Sequence, residues 1–210
     1  MKKKQIIGIT VLILIVFGGL LPFRLANYIA FRNYLKDKYP DKAFTVHWVK
    51  YDFIYNNRYY ATAYCKDDKT TFYIRSERSG ISEEYLETRN RAEMNEVLRS
   101  SIMEEPVSRY IREIRAGVED DEVLDTEQSP DYKGIIDRVH VYFNDDKLTD
   151  DEMFADTAFQ LIRVLKEKQY TFKEIDFTQE RNKGVYELRL KGEELNNSKE
   201  EIKLLIYRLK

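Results

Sequence analysis

Residues 44–78 read FTVHWVKYDFIYNNRYYATAYCKDDKTTFYIRSER and decide the fold class. Apolar and polar side chains alternate along the stretch, with Phe44, Val46 and Trp48 expected on one face and Thr45, His47 and Val49 on the other. Such a period of two is the pattern of a half-buried strand. Asn56-Asn57 marks a turn, because asparagine tolerates positive φ. Arg58 to Lys66 is a second strand, Asp67-Asp68-Lys69 a second turn, and Thr70 to Ser76 a third strand. The chain carries 16 Tyr and 11 Phe, residues that suit sheets. A three-stranded antiparallel meander is expected.

Upstream, Leu25, Tyr28, Ile29, Phe31 and Leu35 recur at helical spacing until Pro40-Asp41 stops the run. Before that helix, Ile6 to Phe23 holds no charged residue and only one hydroxyl, Thr10. As a helix this run is roughly 27 Å long, close to a thin bilayer core. A cleaved signal peptide has a shorter apolar region followed by small residues, which Val16 and Gly18 supply only after a shortened core. A transmembrane anchor over residues 1–24 is the expectation. Lys2, Lys3 and Lys4 favour a cytoplasmic amino terminus and an extracytoplasmic body on the cell membrane, while Arg24, Arg32, Lys36 and Lys38 weaken the asymmetry and leave the reverse orientation open.

Downstream, residues 81–118 read as helical, with Ser82 as the cap. Pro106 is expected to break the helix and start a second one that ends at Gly117. The acid-, Ser- and Pro-containing stretch that follows reads as a linker. The last third gives strand (Ile135–Phe143), helix opened by a capping box at Thr149–Glu152, two strands (Phe172–Gln179 and Val185–Lys191), then a helix capped at Ser198 and running to the end through Ile202, Leu205, Ile206 and Leu209. The expected organisation is an anchor over 1–24, an N-terminal α+β domain over 25–117, a linker over 118–134 and a C-terminal β-α-β-β-α domain over 135–210. The fold class is α+β, each domain an antiparallel sheet packed with helices.

Charge is nearly balanced, with 37 acidic and 35 basic residues, so no nucleic-acid partner is expected. The single cysteine, Cys65, reads as a small packed residue. His47 and His140 lie in different domains, outside metal-ligand spacing. The acidic stretches 119–134 and 145–152 lack the spacing and turn glycine of a calcium loop. No nucleophile motif or phosphate-cradling glycine loop occurs. The expectation is therefore a protein that is not an enzyme, with no cofactor and no metal. Aromatics are the remaining candidates. Tyr51, Tyr55, Tyr59, Tyr60 and Tyr64, with Phe53, cluster around the first hairpin. They serve either as a protein- or glycan-binding surface or as cross-strand pairs on a half-wet sheet.

The stretch FRNYLKDKYPDKAFTVHWVKYDF, behind a lysine-started anchor, resembles the YfjL-like group of membrane-anchored proteins of Firmicutes. The order of anchor, small α+β domain, helical connection and second α+β domain matches as well. That resemblance implies a Gram-positive single-pass membrane protein and carries over no catalytic residue. The same stretch is similar to the PepSY-type helix–meander module, which implies the alternative of a regulator or inhibitor of a cell-envelope hydrolase. The expected partners are the membrane and either a cell-envelope protein or a second copy of the chain.

Overall fold

The computed structural model describes residues 21–54, 57–144, 147–181 and 184–209. The expected anchor lies almost wholly outside them. Among the described residues no helix is long and apolar enough to cross a membrane. The chain forms two compact units, residues 1–89 and 90–210. The fold is α+β, with a five-stranded sheet in each unit and helices against it.

In the first unit, helix α1 covers residues 21–38. It is followed by β1 (Phe44–Val46), β2 (Lys50–Asp52), β3 (Arg58–Cys65), β4 (Thr71–Glu77) and β5 (Gly80–Glu83). β1 and β2 pair antiparallel with the same edge of β3, and β4 and β5 continue the sheet on the other side. The expected meander is present, but its first strand is broken. Val46 faces Ala63 and Lys50 faces Tyr60, so three residues, 47–49, oppose the two residues Ala61 and Thr62. The extra residue makes a β-bulge and reverses the phase of everything after it. The expectation for Trp48 and Val49 is thereby corrected: Val49 is fully buried and Trp48 is 55 % exposed. Phe31 and Leu35 of α1, and Tyr39 just after it, share a core with Val46, Val49, Ala61, Ala63, Phe72 and Ile74.

A second helix, α2 (Tyr85–Ile102), begins in the first unit. Its start is set not by Ser82, which pairs with Arg75 inside β5, but by Glu83. The Glu83 carboxylate accepts from the Tyr85 amide, from Lys38 Nζ at 2.7 Å and from the Tyr39 hydroxyl at 2.8 Å. One carboxylate thus holds the end of α1, the end of β5 and the first turn of α2.

The second unit contains β6 (Ile111–Gly117), the short helix α3 (Tyr132–Ile135), β7 (Arg138–Phe143), α4 (Asp151–Glu167), β8 (Glu174–Arg181), β9 (Gly184–Lys191), α5 (Lys199–Leu204) and β10 (Tyr207–Leu209). The strand order is β10-β9-β8-β7-β6. β7 and β8 are parallel, joined through α4, and the other pairs are antiparallel. This sheet is therefore mixed, where an antiparallel one was expected. Met94, Leu98 and Ile102 of α2 and Phe154, Ala158, Leu161 and Leu165 of α4 are buried in one core with Val139, Val141, Phe143, Ile175, Phe177, Leu188 and Leu190 of the strands. Each large side chain in such a core contributes roughly 1.5–3 kcal/mol by leaving water.

Other expectations are corrected here. Pro106 opens only a one-turn 3-10 segment, Pro106–Tyr110, and Ile111–Gly117 is a strand rather than a helix. The register shifts between Ile111 and Glu113, and that bulge spaces Ile111 and Ile114 as a helix would. The helix expected to run to the end stops at Leu204, because the chain then leaves it to pair Tyr207–Leu209 with the edge of β9. Asp150, not Thr149, caps α4, accepting from the Met153 amide at 2.8 Å. The Ser198 box at α5 is as expected.

Residues 118–134, expected to be a linker, are tied down within the second unit. The side-chain amide of Asn90 donates to the carbonyls of Leu124 and Thr126 at 2.7 and 2.8 Å. Arg91 meets Asp121 at 2.6 Å, and Leu124 and Tyr132 enter the core. The polar composition of the stretch reflects capping rather than freedom: Asp120 accepts from the Glu122 amide and Asp131 from the Lys133 amide.

Candidate functional site

Strand alternation divides the tyrosines of the first hairpin between two surfaces. In β3, Tyr59 points to the same side as the core residues Ala61, Ala63 and Cys65, while Tyr60 and Tyr64 point to the open side. Tyr51 pairs with Tyr59 in register and so shares the core side. The rings of Tyr51 and Tyr59 are 4.7 Å apart, and those of Tyr51 and Phe53 are 4.5 Å apart and nearly perpendicular, the edge-to-face arrangement that aromatic quadrupoles prefer. An aromatic row thus runs from the edge of the core to the end of the hairpin. There Phe53 is 62 % exposed and Ile54 is 82 % exposed. Tyr55 lies outside the described residues. The four described tyrosines of the set divide between two faces of the sheet, Tyr51 and Tyr59 on the core side and Tyr60 and Tyr64 on the open side.

The open side of the first sheet carries Tyr60, Tyr64 and the exposed Tyr73, with charged residues at its lower end. Asp52, Arg58, Tyr60, Tyr73, Arg75 and Glu84 line a shallow depression of about 190 Å³. Arg75 is bridged to Glu77 at 3.1 Å and to Glu84 at 3.2 Å, and Arg58 to Glu77 at 3.0 Å. These tyrosines stand in a lattice of ion pairs, an amphipathic surface suited to protein contact.

On the far side of the same unit, Cys65 is buried, with its sulfur 3.5 Å from the Tyr85 hydroxyl. Tyr85 donates to Asp68. Burial pushes the Asp68 carboxyl up, but hydrogen bonds from Tyr85, Thr70 and Cys65 outweigh it and hold it below the usual carboxylate range. Burial and the bond to Asp68 both raise the Tyr85 phenol. The cluster closes the β3–β4 turn onto the start of α2.

A second arrangement was not anticipated in the sequence. On the side of the second sheet away from its helices, successive strands align Arg115, His140, Asp176 and Arg189 in one row and Gly117, Arg138, Glu174 and Lys191 in the next. Glu174 and Asp176 are buried there beneath the longer basic side chains. Arg189 Nε lies 2.6 Å from Asp176 and 3.1 Å from Glu174, and Arg138 and Lys191 reach Glu174 at 3.1 and 3.2 Å. His140 Nδ1 is 3.1 Å from Asp176. Burial raises the Glu174 carboxyl, but Lys191 and Arg138 prevail and hold it below its ordinary range. A general acid at neutral pH needs the opposite shift. The alternation in RVHVYF, EIDFTQ and YELRLK signals each polar row, but not which strands are neighbours.

His47 is exposed at the bulge in the first unit, and His140 lies in the second. Among the described residues no group of three or more His, Cys, Asp or Glu side chains is placed to hold a metal ion. Comparisons with protein-family models, with curated proteins and with solved structures find no match.

Proposed function

We propose that the chain is a single-pass membrane protein whose two α+β units form an extracytoplasmic body that works by contact, with a neighbouring envelope protein or a second copy, rather than by catalysis. The observation that carries this reading is the start of α1. Leu21, Phe23, Leu25 and Ile29 are each at least half exposed, so the core begins only at Tyr28 and Phe31. Leu21 and Phe23 end the uncharged run Ile6–Phe23. Four large apolar side chains exposed on one short stretch mark a surface that a partner or lipid covers, and their continuity with the uncharged run favours lipid. The aromatic open face of the first sheet and the charged ladder of the second supply contact surfaces of distinct character.

Fractionation tests it. The full chain, tagged at its carboxyl terminus, is expected to stay with membranes through alkaline carbonate washing. Protease added to whole cells is expected to remove the tag. A freely soluble mature chain beginning beyond Gly18 would overturn the anchor, and a tag protected until the cells are opened would overturn the orientation.

A further inference from the structure

Of the four sheet edges, three are blunted. The β1/β2 edge is broken at residues 47–49. β5 reads Gly-Ile-Ser-Glu, with one apolar residue and a carboxylate at its end. β6 carries a bulge between Ile111 and Glu113, and the Asn95 side chain accepts from its outward Ala116 amide at 2.6 Å. Kinks, charges and covering groups of this kind keep an edge from pairing with another chain.

The fourth edge, β10, is short but otherwise unprotected. It pairs with β9 over three consecutive residues without a bulge, and all three are exposed. Leu204, just ahead of it, is 84 % exposed, and Leu205, Tyr207 and Leu209 are each more than a third exposed. The one charge of the strand is folded inward: a Cβ on Gly184 of β9 would lie 3.0 Å from the Arg208 Nε.

The backbone of β10 is directed the other way. The Gly192 amide donates to the Lys173 carbonyl at 3.1 Å, which sets the alternation along β9 and turns Val185 and Glu187 toward β10. Their register partners, Leu209 and Tyr207, use their amides and carbonyls in that ladder. The Leu209 carbonyl accordingly points at Gly184, 2.8 Å from the place of a Cβ there. Arg208, between them, turns its amide and carbonyl outward. Among the described residues no backbone group meets them.

A second copy of the same strand fits this edge. Antiparallel pairing about a twofold axis sets the outward amides of one copy against the outward carbonyls of the other. Tyr207 and Leu209 of both copies then share one face of the joined sheet and cover one another as cross-strand neighbours. Three residues are too few for a stable contact between freely diffusing molecules, but copies anchored in one membrane meet at a high effective concentration. One such edge per molecule closes the assembly at two.

We propose that β10 is a self-association edge, at which two copies pair Tyr207–Leu209 antiparallel and join their second sheets. This rests on the contact reading above, and deepens it by naming the partner and the strand.

The test uses two differently tagged full-length copies, co-expressed, with photoreactive p-benzoylphenylalanine in place of Tyr207. Illuminated membranes are expected to yield a product that carries both tags. Arg208→Pro removes only the outward amide, and is expected to cut that product about tenfold. In the purified variant the Val185 and Glu187 amides, which face β10, are expected to keep their slow hydrogen exchange. An undiminished product with those amides still protected would overturn the pairing. Should they exchange fast, Leu209→Ser decides in place of the proline: it leaves the ladder with β9 intact and is expected to cut the product about threefold, and no change would overturn the pairing. Copies that link only to a different protein would overturn the pairing and leave the contact reading standing. Copies that link to nothing would remove both.

Discussion

Asn90 is fully buried in α2 and spends its amide on two carbonyls of the segment 118–134. An asparagine inside a helix is ordinarily a weak choice, because its side chain competes with the backbone. Here it ties the carbonyls of Leu124 and Thr126 to α2. Asn90→Ala is expected to lower stability by about 1–3 kcal/mol, since the carbonyls of Leu124 and Thr126 lose their donor. Chemical denaturation of the full chain would measure it, and amide exchange should rise through residues 120–132. Nothing in the sequence marks this residue: its partners lie more than thirty positions downstream. The same holds for Glu83, two of whose three donors, Lys38 and Tyr39, lie more than forty positions upstream. Short-range chemistry such as the Ser198 box was legible because both partners fall within four residues.

At the scale of elements, α4 and α5 are joined by one exposed carboxylate. Glu152 lies 2.6 Å from Lys199 and 2.7 Å from Lys203, and these two ammonium groups pull its pKa down to about 2. The folded value is depressed below the unfolded one, so the contribution is fully present above about pH 4.5. It is lost as pH falls from there through about 2. Carboxyl carbon shifts in an acid titration are expected to place Glu152 well below the other glutamates, and Lys199→Ala should move it part of the way back. The two bulges belong to this scale too. Each adds one residue to a strand, and each misleads a reading by periodicity: at 47–49 it exchanges the faces of Trp48 and Val49, and at Ile111–Glu113 it makes a strand imitate a helix. The regular alternation of β3, β4, β7 and β9 was legible for the opposite reason, an unbroken period of two with each sheet backed by the core of its own unit.

For the whole molecule, strand order is what the sequence leaves hidden. The polar faces of β7, β8 and β9 are each readable alone, but only the order β9-β8-β7-β6 assembles them into a ladder over Glu174 and Asp176. The open face of the first sheet invites a direct test of contact. Tyr60→Ser with Tyr64→Ser removes two half-exposed rings, each expected to give up only about 0.2–1 kcal/mol of cross-strand pairing. The doubly substituted chain is therefore expected to fold and to reach the membrane, while its chemical cross-linking to neighbours there falls. Unchanged cross-linking would assign those rings to sheet packing alone.

The split outer edge of the first sheet has a consequence for crowding. An incoming strand needs a long, regular row of free amides and carbonyls, and β1 and β2 offer only three residues each, interrupted by a kink bearing an indole. On the anchored reading proposed above, the molecules are confined to a plane and meet one another far more often than in bulk. A ragged border lets them collide, edge to edge, without zipping into a fibril.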